Sequence, residues 1–251
     1  MDVVSPQRKP YDGLATIYDF VMRHVDYVEW SGYVHKLLTK FGNKPQSLVD
    51  LACGTGNNTL EFSKLGYKVT GVDRSGAMVD IAQSKANSIE HTVHFATGDL
   101  RELVNMGPFD AATCLYDSFN YLMTPSDVHT ALESIASILK PDGVFVFDVC
   151  TERNSIDHFK DVRGAEEGPG FSYTRHSYYD EKQKIQFNSF DIICDDLHVC
   201  ETHKQHIYRF EDMIDMIALS PFKSVATYDG FTMRRGSELS NRIHFVLQLC
   251  T

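Results

Sequence analysis

The chain has 251 residues, of which 43% are hydrophobic, and its formal net charge is −10 at pH 7. This content suits an ordinary globular core, and the excess of acidic side chains would repel a phosphate backbone, so we expect no nucleic-acid partner. No apolar run approaches the roughly 20 residues that cross a bilayer, so we expect no membrane partner. The polar start, Met1 to Pro10, does not resemble a signal peptide, and the six scattered cysteines suit reduced thiols. We therefore expect a cytoplasmic protein.

Two helices are predicted in residues 10–41, where apolar residues recur at helical spacing. Strands and helices then alternate four times over residues 47–139, and a Pro-Asp-Gly turn leads into the continuous apolar run 144–149. Alternation of this kind predicts a parallel sheet that is covered by helices on both faces.

The pattern changes after Cys150. A loop rich in glycine and charge is predicted over 163–170, followed by strand-like runs at 171–179, 184–194 and 197–210. Short polar turns between such runs predict an antiparallel set of hairpins. A helix over 211–219 and two strands, 222–228 and 243–249, would complete the main sheet.

The predicted fold class is therefore α/β: a doubly wound, Rossmann-like, mainly parallel seven-stranded sheet with an inserted small antiparallel β subdomain. We expect an N-terminal helical segment at 1–45 and a main domain at 46–150 and 211–251. The subdomain at 151–210 is expected to serve as a substrate lid or a dimer contact.

The most informative stretch is a predicted strand, Leu48–Leu51, that runs into Gly54 and Gly56 and then into a helix. Glycines at such a turn let the backbone approach a ligand closely, and the free N–H groups of the first helical turn attract an anion. Asp73 ends the next apolar run, where doubly wound folds place the carboxylate that binds a cofactor ribose. The alternative is an ordinary turn whose glycines only reverse the chain.

The glycine pattern bears on which cofactor is bound. A dinucleotide fingerprint needs a third glycine three positions after the second, and Thr59 occupies that position. Asp50 would also place a negative charge close to a pyrophosphate and repel it, whereas the same charge would attract a cationic ligand. The string from Asp50 to Gly56, followed by Asp73, resembles the first motif and the acidic loop of the class I S-adenosylmethionine-dependent methyltransferases.

This resemblance implies S-adenosyl-L-methionine as the cofactor. It implies that Asp99 binds the adenine amino group and that Leu100 flanks the ring, while Met78 covers the other face or is simply a core residue. The expected cofactor-binding residues are Tyr11, Tyr18, Asp50, Ala52, Cys53, Gly54, Gly56, Asn57, Asp73, Arg74, Met78, Gly98, Asp99, Leu100 and Leu115.

A second resemblance is more specific. The segments Tyr11–Asp19, Asp117–Tyr121 and Glu201–Tyr208 are similar to a bacterial small-molecule subgroup that includes nucleotide-aminosugar N,N-dimethyltransferases. In this group the N-terminal helix closes over the cofactor, which implies that residues 1–45 form a lid with Tyr11 and Tyr18 near the sulfonium. Tyr18 also lies on an apolar stripe, so it could be a core residue.

Three residues are candidates for acting on the substrate. Asp117 directly follows the fourth predicted strand and could orient or deprotonate the acceptor, His203 could serve as a base near neutral pH, and Tyr11 could lie beside the methyl group. A turn cap for Asp117 and a surface or interface position for His203 are the structural alternatives. The acceptor loop is more acidic than in the aminosugar enzymes, so the identity of their substrate does not transfer.

The sequence thus predicts methyl transfer to a small polar metabolite, with nitrogen as the favoured acceptor atom, by a monomer or homodimer. An NAD-linked oxidoreductase and a non-catalytic S-adenosylmethionine-binding module remain as alternatives. No metal is predicted, because the spacing of His176, His198 and His206 matches no common zinc pattern.

Overall fold

A computed structural model describes residues 11, 13–87, 93–194 and 197–250. Residues 1–10 of the expected N-terminal lid, and Asp12 of the motif there, lie outside these ranges. The strands of the described part are β1 (Ser47–Leu51), β2 (Lys68–Asp73), β3 (His94–Thr97), β4 (Phe109–Cys114), β5 (Leu139–Cys150), β6 (Asp161–Gly168), β7 (Phe171–Asp180), β8 (Ile185–Cys194), β9 (Leu197–His206), β10 (Phe222–Asp229) and β11 (Arg242–Leu249). The helices are α1 (Tyr18–Val21), α2 (Tyr27–Phe41), α3 (Asn57–Lys64), α4 (Gly76–Ala86), α5 (Pro125–Ser137), α6 (Glu152–Phe159) and α7 (Phe210–Ala218), with 3₁₀ turns at Leu14–Ile17 and Ser118–Tyr121.

The larger sheet has seven strands in the order β10-β11-β5-β4-β1-β2-β3. Strands β1 to β5 pair in parallel, whereas β11 pairs antiparallel with both β5 and β10. The predicted α/β class and the mainly parallel seven-stranded sheet are confirmed. The carboxyl ends of β1, β2 and β4 meet at one edge, which is where an open α/β sheet binds its ligand.

Two apolar clusters cover the two faces of this sheet. One packs α5 and α7 against β4, β5 and β11 and contains Phe145, Phe147 and Phe245, with the last two rings stacked at 4.9 Å. The other packs α2 and α3 against the opposite face around Leu37 and Phe62. The continuous apolar strands are explained by this burial on both sides.

The smaller sheet is antiparallel, in the order β6-β7-β8-β9. The loop expected at 163–170 is wrong for residues 163–168, which lie in the edge strand β6 and pair with β7 along their length. Helix α6 was not predicted. Strand β6 is almost wholly exposed, so it carries no apolar alternation that would have indicated a strand.

The N-terminal segment packs against the smaller sheet. Leu14, Ile17 and Val21 are buried with Phe190 and Val199 of β8 and β9. Helix α2 begins at its N-cap Asp26, whose carboxylate accepts a hydrogen bond from the Glu29 N–H. Among the helices in the described part of the chain, none has the length and apolar character needed to cross a membrane.

Candidate active site

The turn after β1 is built from left-handed backbone conformations. Gly54 has φ +57° and Gly56 has φ +81°. A Cβ on Gly56 would lie 2.8 Å from the Phe95 ring and 3.0 Å from Ala82, so this position needs glycine for both conformation and space. Gly56 caps α3 and belongs to none of the cavities described below. The glycines therefore allow the left-handed backbone of the turn at this edge of the sheet, with no side chains of their own covering it.

Asp73 fastens this turn to the end of β2. Its carboxylate accepts hydrogen bonds from the Gly54 N–H and the Ser75 N–H, both at 2.8 Å. Burial raises the pKa of Asp73, although these N–H bonds oppose the shift. Each oxygen retains acceptor capacity, and the side chain lines the cavity beside the turn.

Asp50 is fully enclosed beneath the turn. It accepts hydrogen bonds from the Thr59 hydroxyl at 2.6 Å and the Thr113 hydroxyl at 2.9 Å. Burial raises the pKa of Asp50 to about 6. Thr59 occupies the position where a dinucleotide fingerprint has its third glycine, and its hydroxyl donates a hydrogen bond to Asp50.

A cleft of about 840 Å³, including its open mouth, lies beside the turn, and we call it the glycine cleft. This size suits a small organic ligand. Most of the predicted cofactor-binding residues line it: Tyr11, Tyr18, Ala52, Gly54, Asp73, Arg74, Met78, Gly98, Asp99 and Leu100. A smaller recess on the other side of the turn, the side recess, is lined by Asp50, Cys53, Asn57 and Leu115, together with Tyr18, Ala52 and Gly54 again.

Two of these residues also have protein partners. Asp99 forms an ion pair with Arg101 at 2.8 Å, and the Arg101 guanidinium lowers the pKa of that carboxyl. The Asn57 amide donates to Asp19 at 2.9 Å and accepts from Lys85 at 2.7 Å. Met78 is 1% exposed, in keeping with a core residue whose surface also reaches the cleft.

A second cavity of about 950 Å³ lies between the main sheet and the smaller sheet, and we call it the polar pocket. Tyr11, Tyr18 and Tyr121 line both this pocket and the glycine cleft. Asp117 and His203 also line the polar pocket. The three residues predicted to act on a substrate therefore meet at one cavity.

The two cavities are separated by a row of hydrogen-bonded groups. The hydroxyls of Tyr11 and Tyr121 lie 2.6 Å apart, and the Tyr121 hydroxyl lies 3.2 Å from His203 Nδ1. Burial raises the pKa of both tyrosines, so their hydroxyls remain protonated at neutral pH. The row thus consists of neutral phenols that end on an imidazole.

Glu201 holds His203 from behind. His203 Nε2 lies 3.3 Å from a Glu201 oxygen, and both side chains are almost completely buried. Burial would raise the pKa of Glu201, but its contacts with His203 and with the backbone N–H groups of Tyr11, Gly13 and Leu14 hold it below its usual range. The same carboxylate therefore positions the imidazole and fixes the N-terminal segment.

Asp117 is held in a strained backbone conformation by charged neighbours. Tyr116 and Asp117 have φ of +60° and +50°, and their N–H groups donate to the buried carboxylate of Asp148 at 2.7 and 2.9 Å. Arg242 pairs with Asp117 at 2.5 Å and also with Asp148. Gln205 donates to the other Asp117 oxygen at 3.0 Å. The Asp117 carboxylate is therefore already partnered on both oxygens.

The comparisons with known proteins agree with this geometry. A family profile described as "Methyltransferase domain" matches residues 48–143, which include the turn and both acidic strand ends. The chain is 32% identical over 243 residues to "Putative methyltransferase YqeM" of Bacillus subtilis (strain 168), covering 95% of this chain and 96% of that protein. This chain belongs to the S-adenosylmethionine-dependent methyltransferases.

Two further relatives illustrate the fold and a reaction. A crystal structure of an S-adenosylmethionine-dependent methyltransferase from Clostridium acetobutylicum ATCC 824 superposes with a TM-score of 0.80 at 23% identity, covering 97% of this chain and 100% of that one. A dTDP-4-amino-2,3,4,6-tetradeoxy-D-glucose N,N-dimethyltransferase from Saccharopolyspora spinosa is 34% identical over 136 residues, which are 53% of each chain.

The methyltransferase also contains site residues that its sequence did not single out. Gln205 and Arg242 were not named, and Tyr121 and Glu201 were named only as residues of the motifs that carry the resemblance, without a role in the site. Arg242 is the first residue of β11, directly before the apolar part of that strand, and a charged residue at the start of a buried strand is the local signal that could have indicated it. The remaining contacts are made across the fold.

One cluster of metal-ligand side chains lies on the smaller sheet of the methyltransferase. Single ligand atoms of Asp191, His198 and Cys200 lie within 4.8 Å of one another, and all three residues are exposed. They line neither the glycine cleft nor the polar pocket. Burial raises the pKa of the Cys200 thiol, which disfavours the thiolate that a metal would need.

Proposed function

We propose that this methyltransferase transfers a methyl group from S-adenosylmethionine in the glycine cleft to a small polar molecule in the polar pocket, with nitrogen as the favoured acceptor atom. The observation that carries the proposal is the wall of Tyr11, Tyr18 and Tyr121 that the two cavities share. A donor and an acceptor on either side of such a wall would be held together, and positioning is the main contribution an enzyme makes to a displacement of this kind.

The residues of the glycine cleft fit the chemistry of the cofactor. Asp73 has free acceptor capacity for ribose hydroxyls, and Met78 and Leu100 offer apolar surface for the adenine. Asp50 and Asn57 in the side recess would face the charged amino-acid end. When bound, the cofactor supplies a methyl group on a positively charged sulfur, whose charge disperses as the methyl leaves.

His203 is the group best placed to take a proton from the acceptor. Glu201 beside Nε2 favours the tautomer that carries its proton on Nε2, which leaves Nδ1 as the acceptor atom towards Tyr121 and the polar pocket. A proton from an acceptor amine would reach Nδ1 directly or through the Tyr121 hydroxyl. The phenols act as neutral donors and acceptors in this scheme because burial raises their pKa.

Asp117 has a different role in this proposal. Arg242 and Gln205 occupy its oxygens, so it orients the acceptor and the surrounding loop rather than removing a proton. Tyr11 lies at the boundary of the two cavities, 4.4 Å from the His203 ring, and would shield the methyl group from water. Residues 1–45 are proposed as the lid, and the 151–210 segment as the floor of the polar pocket.

An amine acceptor is supported by the dTDP-aminosugar N,N-dimethyltransferase that resembles half of the chain, since that enzyme methylates an amino group. The competing possibility within the same family is a module that binds the cofactor without catalysis. It predicts a bound cofactor and no turnover, which makes the two distinguishable by one assay.

The test measures S-adenosylhomocysteine release with a metabolite extract below 1 kDa, alongside cofactor affinity. We expect turnover by the wild type, and a fall of about 100-fold in His203→Gln with cofactor affinity unchanged, because the proton acceptor is lost. His176→Gln on the smaller sheet is the matched control, since His176 lines neither cavity. Wild-type binding without turnover in any extract would contradict the proposal.

A further inference from the structure

Arg175 stands out among the charged groups of the polar pocket. It lies on β7, and its side chain lines the pocket. Its partners are neutral: Nε donates to the Ser177 hydroxyl at 2.9 Å and Nη2 donates to Asn188 Oδ1 at 3.0 Å. Within the described residues, no carboxylate oxygen lies within 4.0 Å of the guanidinium.

The other charges at this pocket are already matched. Asp117 is paired with Arg242, which also pairs with Asp148. Glu201 accepts from three backbone N–H groups and approaches His203. None of these carboxylates is thus free to approach Arg175. A largely buried arginine with neutral partners alone is unusual, because a desolvated cation is costly unless it is paired.

The surroundings of Arg175 hold its guanidinium in one plane and leave one edge open. The rings of Phe159 and Phe190 each lie 5.5 Å from its Cζ. Ser177 and Asn188 fix Nε and Nη2, whereas Nη1 makes no hydrogen bond to the described residues. On the neighbouring strand β6, the residue that pairs with Arg175 is Gly164, which has no side chain to cover the guanidinium. Burial lowers the pKa of Arg175, yet a guanidinium stays protonated in proteins, so the positive charge persists.

We propose that Arg175 binds an acidic group, a carboxylate or a phosphate, of the methyl acceptor, which rests on the proposed function because the polar pocket is taken as the acceptor site. A planar, always charged fork with a free edge matches both anions and binds them with two parallel hydrogen bonds. The acceptor would thus carry an amine near His203 and an anion at Arg175. Arg175 lines the polar pocket but not the glycine cleft, so it would determine which substrate binds. The methyl group itself would pass beside Tyr11, Tyr18 and Tyr121, which line both cavities.

The first experiment measures anion binding without turnover. The thermal midpoint of the protein saturated with S-adenosylhomocysteine is recorded with inorganic phosphate or acetate, at constant ionic strength set by chloride. We expect a rise of about 3 °C for the wild type at tenfold excess over the dissociation constant. The rise should vanish in Arg175→Ala and persist in Arg163→Ala, an exposed arginine of β6 that does not line the pocket.

The two anions distinguish the two acidic groups. A response to phosphate alone indicates a phosphate-bearing acceptor, and a response to acetate indicates a carboxylate. An equal response in the wild type and Arg175→Ala, or no response to either anion, overturns the assignment. Because no methyl is transferred here, this failure would leave the proposed function standing, whereas failure of the proposed function would show in the His203 assay while anion binding persisted.

The second experiment splits the metabolite extract by anion exchange at a pH above the pKa of an aliphatic amine, so that an acceptor carrying both an amine and a carboxylate is retained as an anion. S-adenosylhomocysteine should form with the retained, acidic fraction, and Arg175→Ala should lose about 100-fold in kcat/KM, mainly through KM. Arg175→Lys keeps the charge without the planar fork and should recover part of that loss. Turnover confined to the unretained fraction, or an Arg175→Ala variant with unchanged KM, would overturn the proposal.

Discussion

The carboxyl group of Asp50 shows how one buried residue sets a pH dependence. Its folded pKa of about 6 exceeds the ordinary value of 3.8, so the folded chain binds the proton more tightly than the unfolded chain does. The contribution of this group to stability is therefore complete below pH 3.8 and is lost as the pH rises through about 6. The two threonine hydroxyls limit the shift but do not remove it.

Replacing Asp50 by asparagine removes this titration. Between pH 4 and pH 7.5, the ligand-free wild type should lose about 2 kcal/mol of unfolding free energy relative to Asp50→Asn, which is most of the free energy that corresponds to the rise in the pKa of Asp50 from 3.8 to about 6. Denaturant titrations of both proteins across this range provide the measurement. A stability difference that stays constant with pH would show that Asp50 is ionised throughout.

At the same scale, the sequence indicated some site residues and missed others for a physical reason. Asp73 and Gly54 were predictable because their roles follow from a strand end and a turn, which are local. The partners of Asp117 were not predictable, since Arg242 lies 125 positions away along the chain and meets it only when β11 enters the sheet beside β5. Arg175 had no signal, because polar residues on a strand are as often solvated as buried.

Two elements far apart in the chain are joined by the Glu201 carboxylate of β9. It accepts hydrogen bonds from the N–H groups of Tyr11 at 2.8 Å, Leu14 at 3.1 Å and Gly13. The apolar side chains of the 3₁₀ turn pack beside this contact on Val199. The smaller sheet thereby holds the N-terminal segment, whose Tyr11 and Tyr18 line both the glycine cleft and the polar pocket.

Gly13 tests this link. A Cβ there would lie 2.9 Å from Glu201 Oε1 and inside contact distance of Val199, so Gly13→Ala must displace the N-terminal segment. Overpacking of this kind costs about 1–3 kcal/mol, and we expect S-adenosylmethionine affinity to fall by roughly tenfold or more in calorimetry. Gly32→Ala, in α2 with open space around its Cβ, is the control and should bind normally. Equal affinities for both variants would contradict the idea that the contact with Glu201 holds the N-terminal segment in its binding position.

The elements of the main sheet were predictable because each is specified by its own residues. Strand β5 contains the predicted run 144–149, which is buried throughout, and α5 begins at a Thr124–Asp127 capping box before its apolar stripe. Strand β6 owes its structure to pairing with β7 along an exposed edge, and nothing in its charged, glycine-containing sequence indicates that pairing. Local patterns therefore predicted the main sheet better than the smaller sheet.

For the molecule as a whole, the larger sheet carries the glycine cleft and the smaller sheet closes the polar pocket against it. The net charge of −10 disfavours polyanionic macromolecules as substrates. The polar pocket, at about 950 Å³, is of a size for a metabolite. The proposed methyl transfer onto a small molecule rests on these two properties.

The most direct measurement follows the methyl group. The protein is incubated with methyl-labelled S-adenosylmethionine and a whole-cell extract, and the label is then counted separately in the small-molecule, protein and nucleic-acid fractions. We predict label in the small-molecule fraction, and its loss in Asp73→Ala, which lacks the carboxylate that fastens the glycine turn. Label recovered only in protein or nucleic acid, or no transferred label despite bound cofactor, would contradict the account.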